Sequence, residues 1–103
     1  TQLLQGLRRK ILDKQEKIQH LYRCIASLES PDQVQALFED LCTQKELEKM
    51  AERLYAAKLL LEGNTYNQVI AQSDISSATL SRVSRCVQYG TGYSRVLKGK
   101  EAL

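Results

Sequence analysis

The sequence predicts an all-α protein of five or six helices, and two features of the chain indicate this class. Helix-start signals recur along it, and between them apolar residues return every three or four positions. The alternation of apolar and polar residues that is typical of strands is not sustained anywhere. The 103 residues contain one proline and no glycine- or serine-rich linker, so we expect a single small domain.

Three of the helix starts are capping boxes, in which a Ser or Thr accepts from the amide three residues on and a Glu or Gln returns the bond. They are Ser30 with Gln33, Thr43 with Glu46, and Thr65 with Gln68. Pro31 strengthens the first box, because its fixed φ suits the first helical position. A further start is expected at Ser76, and Gly63 is placed where a left-handed cap would end a long helix.

Apolar stripes between these starts define the predicted helices in chain order. The stripes are Leu3, Leu4, Leu7 and Ile11; Ile18, Leu21, Tyr22, Ile25 and Leu28; Val34, Leu37, Phe38 and Leu41; and Leu47, Met50, Ala51, Leu54, Ala57, Lys58 and Leu61. A short helix follows Thr65, and the last predicted helix carries Ala78, Leu80, Val83 and Val87 and stops near Gly90 and Gly92.

The segment from Thr65 to Val87 has the pattern of a helix-turn-helix. Val69 and Ile70 are expected to pack against Leu80 and Val83, with Ile75 plugging the turn. Asp74 falls where such turns often adopt a positive φ, which Asp tolerates better than most residues. The pattern also fits two ordinary helices of a bundle, or a helix-turn-helix fold used for protein contact.

The first turns of the second helix carry small polar residues that suit the DNA major groove. Short side chains let a helix approach the base edges, and hydroxyl groups can bond to bases or phosphates. We assign Ser76, Ser77, Ala78, Thr79 and Ser81 to this surface, with Ser77, Ala78, Thr79 and Ser81 facing base edges. We expect four further residues to contact phosphates or flanking bases: Thr65, Asn67, Arg82 and Arg85.

The distribution of charge supports an anionic partner better than the total does. The net charge is only +3, but residues 1–30, 31–62 and 63–103 carry +3, −3 and +3. Between Ile75 and Lys100 there are five basic side chains and no acidic one. The C-terminal third therefore presents a local positive field.

Three stretches carry a resemblance to a known family. FEDLCT at 38–43, EGNTY at 62–66 and SSATLSRVSRC at 76–86 resemble the Trp repressor superfamily, specifically its YerC-type branch of small Trp repressor-like proteins. The resemblance implies an intertwined all-helical homodimer, in which two helix-turn-helix heads face successive major grooves. It places a helix-turn-helix domain at residues 21–103 and leaves residues 1–20 as an N-terminal helical arm.

The arm is basic and amphipathic, so three roles are open to it. It could lie on a membrane, touch the DNA backbone or pack on the partner subunit. Few apolar residues and no aromatic one disfavour a membrane, and packing on the partner subunit is the favoured role.

The resemblance also implies a candidate effector pocket for an unidentified small-molecule corepressor. The corepressor-binding positions of Trp repressor correspond to Thr43, Arg53, Arg82 and Val83. Val83 stands where that repressor has Gly, and we expect its branched side chain to block an indole ring, so tryptophan is not expected as the effector. An ordinary ion pair within the helix, with Glu48 or Glu52, is the simpler interpretation of Arg53.

Several classes of function have little support in the sequence. Cys24, Cys42 and Cys86 lack the spacing of a zinc site or disulfide framework and are expected to be buried in a reducing cytosol. His20 is the only histidine and no nucleotide-binding or protease motif is present, so neither an enzyme nor a cofactor is expected. No apolar run approaches the roughly 18 residues that a membrane span needs.

The sequence therefore predicts a cytoplasmic, homodimeric regulator of transcription, acting as a repressor that occupies double-stranded DNA. The alternative is a helical protein-interaction module without DNA binding.

Overall fold

The computed structural model describes residues 11–98, and these form six α-helices and no strand. The helices are α1 (Lys14–Ala26), α2 (Pro31–Leu41), α3 (Gln44–Leu61), α4 (Tyr66–Gln72), α5 (Ser77–Tyr89) and α6 (Gly92–Leu97). The all-α prediction is confirmed. The stripe of Leu3, Leu4 and Leu7 and the basic residues up to position 10 lie outside the described residues. The chain divides into two compact units, Thr1–Leu41 and Cys42–Leu103.

Helices α1 and α2 form the described part of the first unit. α1 begins with a capping box that was not predicted, in which Asp13 accepts from the Glu16 amide and Glu16 returns the bond. The predicted box at Ser30 forms only in half, because the Gln33 side chain accepts from the Glu29 amide instead of the Ser30 amide. α1 continues past position 20, which is where the resemblance had placed the end of the arm. Neither helix contains a buried residue.

Helix α3 is the central element of the second unit, and both of its ends are capped as predicted. Thr43 and Glu46 form the complete capping box, and the Thr43 amide lowers the pKa of the Glu46 carboxyl. At the other end Gly63 adopts a φ of +99°. The Gly63 amide donates to the Leu60 carbonyl and the Asn64 amide to the Leu59 carbonyl, which is the Schellman arrangement.

Helices α4, α5 and α6 pack on α3 around one small core. The core differs from the predicted stripe on α3, where Ala51 and Leu54 are exposed and Ala56 and Leu59 are buried in addition to the predicted Ala57. The reason is that α3 carries two apolar stripes, and this unit covers only one of them. The buried residues are Ala56, Ala57, Leu59, Val69, Ile75, Leu80 and Val83.

The helix-turn-helix consists of α4, the turn at residues 73–76, and α5. Val69, Leu80 and Val83 are buried and Ile75 closes the turn, as predicted. Ile70 was predicted to face inward but is 36% exposed, because neighbouring positions on a helix lie about 100° apart and α4 turns only Val69 toward α5. The positive φ predicted for Asp74 is also wrong, since Gly63 is the one described residue with that backbone conformation.

The chain beyond α5 also departs from the prediction. α5 ends at Gly90, where the backbone amide donates to the Cys86 carbonyl at 2.8 Å and a Cβ would approach that same oxygen to 2.7 Å. Gly92 was predicted to mark a stop but instead begins α6. Tyr93 and Leu97 of α6 then pack against the core, so this short helix supports α3 and α5.

Truncating Leu80 should unfold the helix-turn-helix far more readily than truncating Ile70. Leu80→Ala removes a side chain with no exposed surface and leaves a cavity, so we expect a loss of about 2–5 kcal/mol in the free energy of unfolding. Ile70→Ala is the matched control, with an expected loss of about 1 kcal/mol or less. Urea unfolding at fixed protein concentration measures both. Equal losses would contradict the packing described.

Candidate nucleic-acid interface

Helix α5 has two faces of opposite character. Leu80 and Val83 on one face are buried, with 0% and 1% of their surface exposed, and belong to the core. The other face exposes Ser77, Ala78, Ser81, Arg82 and Arg85, while Thr79 is half-buried. The core therefore fixes the rotation of α5 about its axis, and the six residues named here on its outward face were all predicted to meet DNA.

An open groove of about 610 Å³ runs along this outward face. We call it the outer groove. Small residues in its first part, Ala78 and Ser81, give way to the two guanidinium groups of Arg82 and Arg85. No acidic side chain lies between Ile75 and Lys98, so nothing on this stretch of chain offsets the positive charge. The complete lining is Ala78, Ser81, Arg82, Arg85, Cys86, Tyr89 and Gly90.

Ser76 and Thr79 form a local hydroxyl pair at the start of α5. Ser76 Oγ accepts from the Thr79 amide at 3.2 Å and donates to Thr79 Oγ1 at 2.9 Å. The Ser76 hydroxyl is thus engaged as the helix cap. Thr79 accepts in this pair, so its own hydroxyl proton is not used there.

Thr65 and Asn67 lie at the start of α4 and are exposed. Thr65 forms the predicted capping box with Gln68, through contacts of 2.7 and 3.2 Å. Neither Thr65 nor Asn67 lines the outer groove. Their assigned role at phosphates stays a prediction.

Tyr66 connects α4 to α5, which the sequence did not suggest. Its half-buried ring packs against the core, as is usual for an isolated aromatic residue. Its hydroxyl, however, donates to the Ser77 carbonyl at 2.7 Å and lies 3.1 Å from Ser81 Oγ. Those partners are 11 and 15 residues away, so no local spacing rule could have indicated them.

A second groove, of about 500 Å³, brings together three of the four residues of the candidate effector pocket. Arg53, Arg82 and Val83 line it, and Thr43 does not. We call it the inner groove. Val83 lies at its floor, because the side chain is only 1% exposed and fills the core beneath. The other lining residues are Ala78, Thr79, Cys86 and Tyr93.

Arg53 does not form the expected ion pair with Glu48 or Glu52. The ion pair found among residues 11–98 joins Lys58 to Glu62 at 2.8 Å, and it raises the pKa of the Lys58 ammonium. Cys86 is exposed and lines both grooves, so the expectation of buried cysteines is wrong for it. Cys24 and Cys42 are half-buried.

Other chemistry in the described part of the chain is limited. The Nε2 atom of His20 lies 3.5 Å from Cys24 Sγ, one turn along exposed α1. Residues 11–98 hold no group of three or more His, Cys, Asp or Glu side chains that could bind a metal ion. None of the described helices combines the length and the apolar character needed to cross a bilayer.

The arrangement of α4, the turn and α5 defines a helix-turn-helix protein. The profile of the family described as Trp repressor protein matches residues 16–101. The chain therefore belongs to the Trp repressor family, whose members are regulators and not enzymes.

Individual relatives agree with this assignment. The uncharacterized protein YerC of Bacillus subtilis (strain 168) is 40% identical over 75 residues, which cover 73% of this chain and 72% of YerC. A TrpR-like protein from Eubacterium eligens ATCC 27750 has a TM-score of 0.78 and 36% identity, with 87% of this chain and 94% of that one covered. A candidate Trp repressor from Staphylococcus aureus has a TM-score of 0.75 and 35% identity, with 80% and 83% covered.

Proposed function

We propose that this protein is a homodimeric, sequence-specific DNA-binding regulator that represses transcription in the cytoplasm by occupying a pseudo-palindromic site. The observation that carries the proposal is the outward face of α5, where small residues are followed by Arg82 and Arg85 with no acid nearby. A helix with this face can enter the major groove, because its small side chains admit base edges and its guanidinium groups reach phosphate or guanine.

The contacts of the described residues refine the roles of individual side chains. Ser77, Ala78, Thr79 and Ser81 would face base edges, since they lie on the first turns of α5 and present exposed or half-exposed surface. Arg82, Arg85, Thr65 and Asn67 would hold phosphates or flanking bases. Ser76 contributes by capping α5 and orienting Thr79, because both functions of its hydroxyl are already used.

Dimerisation is supported by the first unit. Ile18, Tyr22, Val34 and Leu41 are 41%, 58%, 40% and 51% exposed, and α1 and α2 bury no residue at all. Two amphipathic helices that leave such surface open need another apolar surface to cover it. A second copy would supply one, and it would place two α5 helices about one DNA turn, roughly 34 Å, apart.

A small-molecule effector, if the protein uses one, is proposed to be something other than tryptophan. Arg53 and Arg82 line the inner groove and suit an anionic group. Val83, however, occupies the volume beneath the groove with a branched side chain that is packed into the core. An indole ring would need that volume, and well-packed cores do not yield it cheaply.

Removing either arginine of the outer groove should flatten the salt dependence of DNA binding. Each phosphate contact contributes about 0.9 to the slope of log affinity against log salt, so Arg82→Ala or Arg85→Ala should reduce the slope by about 1.8 in a dimer. Fluorescence anisotropy with a duplex selected from a random library, over a salt series, measures this. Lys45→Ala is the control, since Lys45 is exposed at the start of α3 and lines neither groove.

The same titrations distinguish the alternative. A protein-interaction module would show no salt-dependent binding and no preference among duplexes at 150 mM salt. The Arg82 and Arg85 variants would then match the wild type, because there would be no DNA affinity to lose.

Tryptophan should leave the thermal stability of the protein unchanged. Anything that binds only the folded form raises the melting temperature, and at 100 times its Kd a ligand adds about 2.7 kcal/mol. We therefore expect a shift no larger than that produced by the same concentration of another neutral amino acid, measured by differential scanning fluorimetry. A saturable rise in melting temperature with tryptophan alone would contradict the role given to Val83.

A further inference from the structure

The Tyr66 hydroxyl joins the first residue of α4 to the first two turns of α5. It donates to the Ser77 carbonyl at 2.7 Å and approaches Ser81 Oγ at 3.1 Å. The ring is half-buried against the core, which holds the hydroxyl in place. Both contacts cross the helix-turn-helix, so the position of this single oxygen depends on the packing of the whole motif.

Counting protons assigns a direction to both contacts. A phenol carries one proton, and a carbonyl oxygen can only accept. The short contact with Ser77 therefore uses the Tyr66 proton, and in the longer contact Ser81 must be the donor. Ser81 Oγ then turns its proton inward, toward Tyr66, and offers only lone pairs to a partner in the outer groove.

The neighbouring hydroxyl of Thr79 is less restricted than that of Ser81. Thr79 Oγ1 accepts from Ser76 Oγ at 2.9 Å and keeps its own proton free. A solvated Ser or Thr can rotate its hydroxyl to suit a donor or an acceptor, so neither residue type discriminates by itself. Here the protein's internal hydrogen bonds leave Thr79 able to donate or to accept, and they restrict Ser81 to accepting.

We propose that Tyr66 is a positioning residue for sequence recognition, acting through Ser81. Because Ser81 presents only an acceptor, the base that faces it should carry an amino group, which in the major groove means adenine N6 or cytosine N4. Guanine or thymine there would set a carbonyl oxygen against the lone pairs of Ser81. This inference rests on the proposed function, since it specifies what one side chain of the α5 face recognises.

The first arm of the test is a specificity profile on DNA. Each base pair of a selected duplex is substituted in turn, and relative affinities are measured by anisotropy for the wild type, Tyr66→Phe and Ser81→Ala. Tyr66→Phe keeps the ring and removes the hydroxyl, so Ser81 regains its free rotation. We expect discrimination at one base pair per half-site to fall about 3- to 10-fold, as for one lost hydrogen bond.

Three further results separate positioning from a general structural effect. The salt slope and the affinity for a random duplex should stay unchanged in Tyr66→Phe. Adding Tyr66→Phe to Ser81→Ala should have no further effect at that base pair. Tyr55→Phe is the matched control, because Tyr55 lies on α3 outside both grooves and should preserve the wild-type profile.

The second arm needs no DNA. A double-mutant cycle isolates the Tyr66–Ser81 contact. Urea unfolding gives the free energy of unfolding of the wild type, the two single variants and the double variant. The double variant should lose less than the sum of the single losses, since both remove the same bond. Additive losses would overturn the inference whatever the DNA data show.

The two arms together also separate this inference from the proposed function. Coupling in the unfolding cycle with an unchanged Tyr66→Phe profile would overturn the positioning role while leaving DNA recognition intact. A wild-type protein without any sequence preference would overturn the proposed function itself, and with it the role of Ser81 at a base.

Discussion

The burial of one face of α5 against α3 and α4 is the constraint on which the rest of the structure depends. Leu80 and Val83 have almost no exposed surface, and Ala56 and Ala57 of α3 belong to the same core. Once those side chains are fixed inside, the rotation of α5 about its axis is fixed too. Arg82, Arg85 and the small residues before them then face solvent, so the candidate interface is a consequence of packing.

Local rules explain how much of this could be predicted from the sequence. The boxes at Thr43 and Thr65, the cap at Gly63 and the burial of Leu80 and Val83 follow from spacings of three or four residues, and all were correct. Ala78, which the same spacing placed on the apolar stripe of α5, is exposed. The box at Asp13 lies outside the Ser or Thr pattern, although Asp caps a helix as well as Ser does. On α3 two apolar stripes compete, and composition alone does not show which one this unit covers.

What could not be predicted depends on contacts between distant residues. The Tyr66 hydroxyl meets Ser77 and Ser81 only after α4 and α5 have packed, so a pattern search treats Tyr66 as one more core aromatic. The inner groove also depends on residues that are distant in sequence. Arg53 and Arg82 come together in it only through the packing of α3 on α5. The resemblance to Trp repressor predicted that Arg53 and Arg82 lie at one site. The simpler expectation for Arg53, an ion pair within α3, was incorrect.

The central claim, that α5 enters the major groove from each half of a dimer, can be tested most directly by dimethyl sulfate footprinting on a selected duplex. The reagent methylates guanine N7 in the major groove and adenine N3 in the minor groove. We predict N7 protection in two patches about one helical turn, roughly 10 base pairs, apart, with the minor groove between them still reactive. Protection confined to the minor groove, or none at concentrations that saturate binding, would contradict the account.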